Sequence, residues 1–249
     1  VTAVVPRAAG PFLAALALAL AASAPAPAQP ALGQVDNFQN GTTQNWTNGG
    51  GVGAPPVVNV ATGGPAGAGD AFLQFSALGG GGSGSRLVVF NRTQWAGNFA
   101  GPGITAVELD LKNISGPTLS MRVGLKSSTG IGAPGYESTT AFSLPGDGAW
   151  HHATFLLDSA HLSPVNSPAP LDSFLTSVAE FRILSQAGPT LTLNGDAVAA
   201  TVGADNIHAF APVPEPGWLL LAVAGGGALG RTAVRAHRRA RWRRPKGPR

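Results

Sequence analysis

The chain has 249 residues, of which 11% are charged, with 35 Gly, 21 Pro and no Cys. Each interior Gly costs a helix about 1 kcal/mol and each Pro about 3, so an all-α fold is excluded. The lack of a Gly-X-Y period excludes collagen, and the lack of Cys excludes disulfides, a thiolate nucleophile and Cys-ligated zinc.

The net charge of +4 has an uneven origin. Residues 231–249 hold eight Arg and one Lys, whereas residues 29–211 hold six basic and eleven acidic residues. The body is acidic and the basicity belongs to a tail, so no nucleic-acid partner is expected. At the other end, Arg7 precedes an apolar run from Phe12 to Ala22 and then small residues and Pro. This is the pattern of a secretory signal peptide, too short to span a bilayer. Ala26-Pro27-Ala28 supplies an A-x-A site, cut by signal peptidase after passage through the secretion translocon. The exported chain then begins at Gln29, and residues 1–28 form a signal helix.

From about Val35 to Phe210 apolar and polar residues alternate with period 2, broken by Gly, Pro, Asn and Ser clusters. Strands are predicted over Val57–Val60, Ala71–Phe75, Arg86–Asn91, Ile104–Lys112, Leu119–Lys126, Thr139–Leu144, Trp150–Leu157, Val178–Leu184, Thr190–Leu193 and Asp205–Phe210, with one helical turn at Leu171–Val178. In Ile104–Lys112 the residues Val107, Leu109 and Leu111 share one face. In Leu119–Lys126 the residues Met121, Val123 and Leu125 do the same. Many short strands with turn signals between them predict an all-β, antiparallel two-sheet sandwich for residues 29–211.

The segment 212–249 carries the most specific motif. Val213-Pro214-Glu215-Pro216 is followed by an uncharged run over 217–230 and the basic tail 231–249. It resembles the PEP-CTERM sorting signal of Gram-negative bacteria, in which an exosortase cuts near the Pro-Glu-Pro motif. The resemblance implies transient anchoring in the inner membrane, a cytoplasmic tail, and delivery to the outer surface or an exopolysaccharide matrix. The 14-residue run rises about 21 Å as a helix, short of the ~30 Å hydrocarbon core, which suits a temporary transmembrane helix. A glycolipid-anchor signal would end in its apolar stretch, and a sortase substrate would carry a Leu-Pro-x-Thr-Gly-like motif, absent here.

Within the body, "DNFQNGTTQNW" (36–46), "GDGAWHHATFLL" (146–157) and "ADNI" (204–207) are similar to jelly-roll carbohydrate-binding modules of the galactose-binding-like group. That resemblance implies a structural calcium where first and last strands meet, at Asp36 and Asp205, although each Asp is equally a turn or cap residue. Sugars stack on flat aromatics. Trp95 and Tyr136 stand in polar, Gly-rich segments and are the candidate ligand platform. Glu108 and Glu180 alternate with core positions and read as solvated strand faces. His151 and His152 are adjacent, so on a strand they face opposite ways. No G-x-S-x-G elbow is present, and no catalytic residue is assigned. The expectation is a non-catalytic, carbohydrate-binding-like exported protein with polysaccharide as partner. The alternatives are a glycan hydrolase and a purely structural or adhesive matrix protein.

Overall fold

Period-2 alternation commits these segments to strands because a strand presents successive side chains to opposite faces. The computed structural model describes residues 29–51, 53–82 and 84–212; the expected signal segment, sorting motif, span and basic tail lie outside them. Among the described residues the strands are β1 (Val35–Asp36), β2 (Val58–Val60), β3 (Phe72–Leu78), β4 (Val88–Asn91), β5 (Ala106–Ser115), β6 (Leu119–Lys126), β7 (Gly135–Ser138), β8 (Phe142–Leu144), β9 (Trp150–Leu156), β10 (Leu162–Val165), β11 (Glu180–Ser185) and β12 (Ala199–Phe210). A single helical turn, α1 (Leu171–Phe174), follows Pro170.

The first sheet runs β2-β3-β12-β5-β9, with β1 also on β12. The second runs β10-β7-β6-β11-β4, with β8 also on β6. All pairings are antiparallel. The chain is an all-β two-sheet sandwich, as alternation predicts. Three strands escape the sequence pattern. β1 has two residues, β7 opens on a glycine, and β10 contains Pro164, which an edge strand tolerates because one side of its backbone needs no partner. Conversely, Thr190–Leu193 is not a strand but part of a strap across the second sheet.

Between the sheets lies one apolar core. Val107, Leu109, Leu111 and Phe155 from the first sheet are buried with Met121, Val123, Leu125 and Phe181 from the second. Every strand and every core side chain lies within residues 35–210, so residues 29–211 carry the whole described fold.

The outer face of the second sheet is divided in two. Over β6 and β7 the strap is seated by Leu193, which is fully buried. A Cβ at Gly124 would displace Leu193 Cδ2, 2.6 Å away, and one at Gly135 would lie 2.0 Å from the Leu125 carbonyl oxygen and 2.8 Å from Leu193 Cδ1, so Gly135 must be glycine and Gly124 leaves the leucine its seat. The Leu193 N–H donates to Glu137 Oε2 at 2.8 Å, and Arg182 Nη1 donates to the Leu193 carbonyl. Toward β4 and β11 the strap continues through Gly195 and Asp196 against Leu87, Val88 and Ser185, and beside it a groove opens.

A buried carboxylate sets the open side. Asp36 Oδ2 accepts from Trp46 Nε1 and Trp95 Nε1, each at 2.7 Å, and from Gln94 Nε2 at 3.0 Å. Burial pushes the Asp36 carboxyl above its ordinary value, and these three donors pull it partly back. The two indoles pack on Phe181, Trp95 stacked at 5.0 Å and Trp46 edge-on at 6.1 Å. Immediately after Trp46, Thr47 exchanges backbone hydrogen bonds with Phe90 at 2.8 and 3.0 Å. Asp36→Ala strands two buried indole N–H donors, each worth about 1–3 kcal/mol. Urea unfolding of residues 29–211 should therefore show a loss of roughly 2–5 kcal/mol, with Asp36→Asn losing less because an acceptor oxygen remains.

Candidate functional site

On β4, alternation sends Val89 and Asn91 to the core and Val88 and Phe90 outward. Register then sets their neighbours: Arg182 of β11 stands opposite Phe90, and Leu184 opposite Val88. The Arg182 guanidinium lies 5.2 Å from the Phe90 ring centroid and that of Arg92 lies 4.3 Å from it. At these distances a cation is attracted by the ring's quadrupole. One register position on, Glu180 faces Lys126 of β6. Glu180 is fully buried; its Oε2 takes Arg92 Nε at 2.5 Å and its Oε1 takes Arg182 Nε. The expectation that Glu180 lies on a solvated face is corrected: its outward face is covered by the arginines it pairs.

Above this floor runs an open groove of about 460 Å³. Its walls are Thr47-Asn48-Gly49, the Gly-rich loop with Gly81, Gly82 and Gly84, Gly130-Ile131 and Asn194; Arg86, Arg92 and Arg182 project into its lining. Ile131 at the rim is 89% exposed. Among the described residues no Asp or Glu lines the groove. Backbone groups of glycine loops, amide and hydroxyl side chains and guanidinium forks supply hydrogen bonds, while Val88 and Phe90 supply an apolar floor. That mixture is the usual make-up of a small-molecule or oligomer site. The lining offers binding chemistry without the carboxylate pair that glycoside hydrolysis uses.

The residues singled out from sequence stand elsewhere. Trp95 is 0% exposed, stacked on Phe181 and bonded to Asp36, so it is a core anchor and not a ligand platform. Tyr136 is 8% exposed, edge-on to Phe174 with its hydroxyl donating to the Ala169 carbonyl at 2.9 Å. The polar, Gly-rich surroundings that suggested exposure are loops folded over these rings. Trp150, out of phase with Ala153 and Phe155, turns to the outer face of the first sheet. There it meets Phe72 edge-on at 5.2 Å over Gly203, where any Cβ would lie about 3 Å from both rings.

Asp36 and Asp205 stand on paired neighbouring strands, Asp36 opposite Ile207, and each has its own surroundings. Asp36 faces the indoles, whereas Asp205 sits at a bulge in β12 with its Oδ1 on the Asn206 N–H at 2.8 Å and its Oδ2 buried without a partner. Among the described residues no group of three or more His, Asp or Glu is arranged to hold a metal. The histidines do point apart: His151 meets Asp147 at 3.0 Å, while His152 meets Asp110 at 3.0 Å and Glu108 at 3.5 Å. Glu108 also takes His208 at 2.8 Å.

The groove residues were missed because the run Val88-Val89-Phe90 reads as a fully buried strand. The available signal was that Arg122, Lys126 and Arg182 all stand at outward positions of β6 and β11. Nothing in the sequence shows that these strands are neighbours.

No protein-family model and no curated protein matches the sequence. Among solved structures the chain is similar to an exo-β-agarase, at 11% identity and a TM-score of 0.47 over 74% of this chain and 26% of the agarase. It is also similar to a family 11 carbohydrate-binding module from Clostridium thermocellum, solved with a β-1,3-1,4-mixed-linked tetrasaccharide, at 16% identity and a TM-score of 0.41 over 73% of this chain and 99% of the module. A carbohydrate-binding module specific for non-crystalline cellulose follows at 13% identity and 0.41, over 74% and 98%. The chain thus spans about a quarter of the agarase and nearly all of either module.

Asp205, at the β12 bulge of the first sheet, makes the fold's stability pH-dependent. Burial raises its carboxyl from 3.8 to about 7; the Asn206 N–H opposes the rise, and Asp70 and Asp110 add to it. Between those two values the native state holds a proton that the unfolded chain has lost. The stabilisation is complete below the lower value and lost as pH rises through the upper one. Asp205→Asn should therefore raise the melting temperature at about pH 8 and change it little at about pH 4, as thermal unfolding across that range measures.

Proposed function

We propose that the protein is an exported, non-catalytic glycan-binding sandwich that holds a polysaccharide segment in the groove over β4 and β11. One observation carries this: a groove of about 460 Å³ with the exposed apolar side chain of Ile131 at its rim, walls of hydrogen-bonding backbone and side chains, and no carboxylate among the described lining residues. A sugar ring has just such a division, with C–H faces that favour apolar or π surfaces and hydroxyls that need partners.

Export, processing and matrix delivery complete the proposal and rest on the two terminal motifs. Signal peptidase releases residues 1–28, and the span at 217–230 holds the chain in the inner membrane with the basic tail in the cytoplasm. Exosortase then cuts near Pro214-Glu215-Pro216, leaving an acidic sandwich at the cell surface or within a polysaccharide matrix.

Gly82→Trp tests the groove. Gly82 has open space around its Cβ position and no left-handed φ, so a large side chain fits there without strain. It should abolish retention of residues 29–211 in glycan-containing gels or on a glycan array while leaving the melting temperature unchanged. Retention undiminished by that blockade would move the binding site elsewhere. Processing is tested by intact mass of the surface protein in strains with and without exosortase. The expected surface form lacks residues 231–249 and has an acidic pI, against 10.3 for the whole chain; Glu215→Ala should retain the anchored form.

A further inference from the structure

The cations of the body are not scattered. Of the six basic residues within 29–211, five (Arg86, Arg92, Arg122, Lys126 and Arg182) lie on the outer face of the second sheet or its rim; only Lys112 belongs to the first sheet. The eleven carboxylates of the same segment are spread elsewhere, apart from Glu137 under the strap, Asp196 at the strap's end and Glu180 beneath the groove. In a body with an excess of five negative charges, one groove lined, among the described residues, by three arginines and no carboxylate is a local inversion of sign.

These arginines are only partly neutralised in place, Arg92 and Arg182 sharing one carboxylate. Arg86 donates Nε to the Gly81 carbonyl at 3.2 Å and Nη1 to the Gly195 carbonyl at 2.9 Å, and it meets no carboxylate among the described residues. Arg92 uses only Nε, on Glu180, and its side chain is 43% exposed. Arg182 uses Nε and Nη1. Each therefore keeps at least one Nη group with no acceptor among the described residues. Glu180 is shared by Arg92 and Arg182 and faces Lys126, so a single carboxylate balances three cations. The lysine registers the surplus. Burial first, then Arg182, bring Lys126 down to about 8, with Glu180 recovering only part.

Resting on the glycan-binding groove above, we propose that its ligand is an acidic polysaccharide, a chain whose sugars carry carboxylate or sulfate groups, with Arg86 and Arg92 as the residues that select the oxyanion. A guanidinium presents its donors as a planar fork matched to either group. Ile131, 89% exposed at the rim, offers the apolar surface for the sugar ring, while Phe90 lies beneath the Arg92 and Arg182 guanidinia. The fit is to a single flexible chain. A duplex would bring its charge against the acidic remainder of the surface, and the floor ring Phe90 is only 4% exposed, too covered for base stacking.

Affinity electrophoresis and calorimetry on residues 29–211 test this; omitting the tail removes its nine cations, which would bind any polyanion. The probes are polygalacturonate and alginate (carboxylate), carrageenan (sulfate), neutral agarose, a neutral mixed-linkage β-glucan, and single-stranded DNA. The expected result is binding to a carboxylated or sulfated glycan, weakened about tenfold by Arg86→Gln and by Arg92→Gln. Each change should also lower the slope of log affinity against log salt by about one. Lys112→Gln, on the other sheet, should leave binding intact. The carboxylate and sulfate arms identify the substituent. Equal or tighter binding of neutral glycans, unaffected by the arginine variants, overturns the acidic ligand and leaves the glycan groove standing. Binding to no glycan overturns both. Binding to DNA alone, with the same arginine dependence, overturns the glycan and keeps only the charge selection.

Discussion

The buried carboxylate of Asp36 is the constraint on which the open side of this sandwich depends. A two-residue strand is too short to hold itself, and the segments that follow it are rich in Gly, Asn and Thr. What orders them is one oxygen accepting from two indoles and an amide, in a core where an orphaned donor costs about 1–3 kcal/mol. The indoles in turn lie on Phe181 of β11. The same contact thus fixes residue 46 beside Thr47 and residue 95 beside the turn that follows β4. The Thr47 wall of the groove and the segment after β4 that carries Arg92 adjoin it. This is also why the tryptophans cannot serve a ligand: their polar edges and their faces are already committed.

The second sheet shows how one face can be used twice. Toward β6 and β7 two glycines open a seat, Leu193 fills it, and Glu137 and Arg182 grip its backbone. Toward β4 and β11 the strap ends at Gly195 and Asp196, and the guanidinia of Arg92 and Arg182 cover Phe90 beside it. Arg182 belongs to both halves, bonded to the strap through Nη1 and to Glu180 through Nε. The strap and the groove are therefore mechanically joined at one guanidinium.

The first sheet treats its outer face differently. Glu108 and Asp110 meet His152 and His208, and Trp150 closes on Phe72 above Gly203. Its carboxylates are paired locally. Asp205 is the exception, buried at a bulge with one oxygen unpartnered, and its raised carboxyl is the price of that position. The two outer faces thus carry opposite charge, and the groove lies on the cationic one.

The period-2 pattern in residues 104–126 determined the sandwich and its core by itself, because alternation along a strand allows only one face to be buried against an opposing sheet. Val107, Leu109, Leu111, Met121, Val123 and Leu125 were assigned from that pattern and are buried together. The terminal motifs lie outside the described residues, and their reading rests on composition and order alone. The groove was decided by tertiary structure alone. Arg86, Phe90, Arg92 and Arg182 come from segments about 90 residues apart, and only the register of β4 on β11 places Phe90 opposite Arg182. The same holds for Trp95 and Tyr136, which sequence context made exposed and loop packing buried. Local sequence sets which way a side chain points from its strand; what covers it depends on which strands and loops become neighbours.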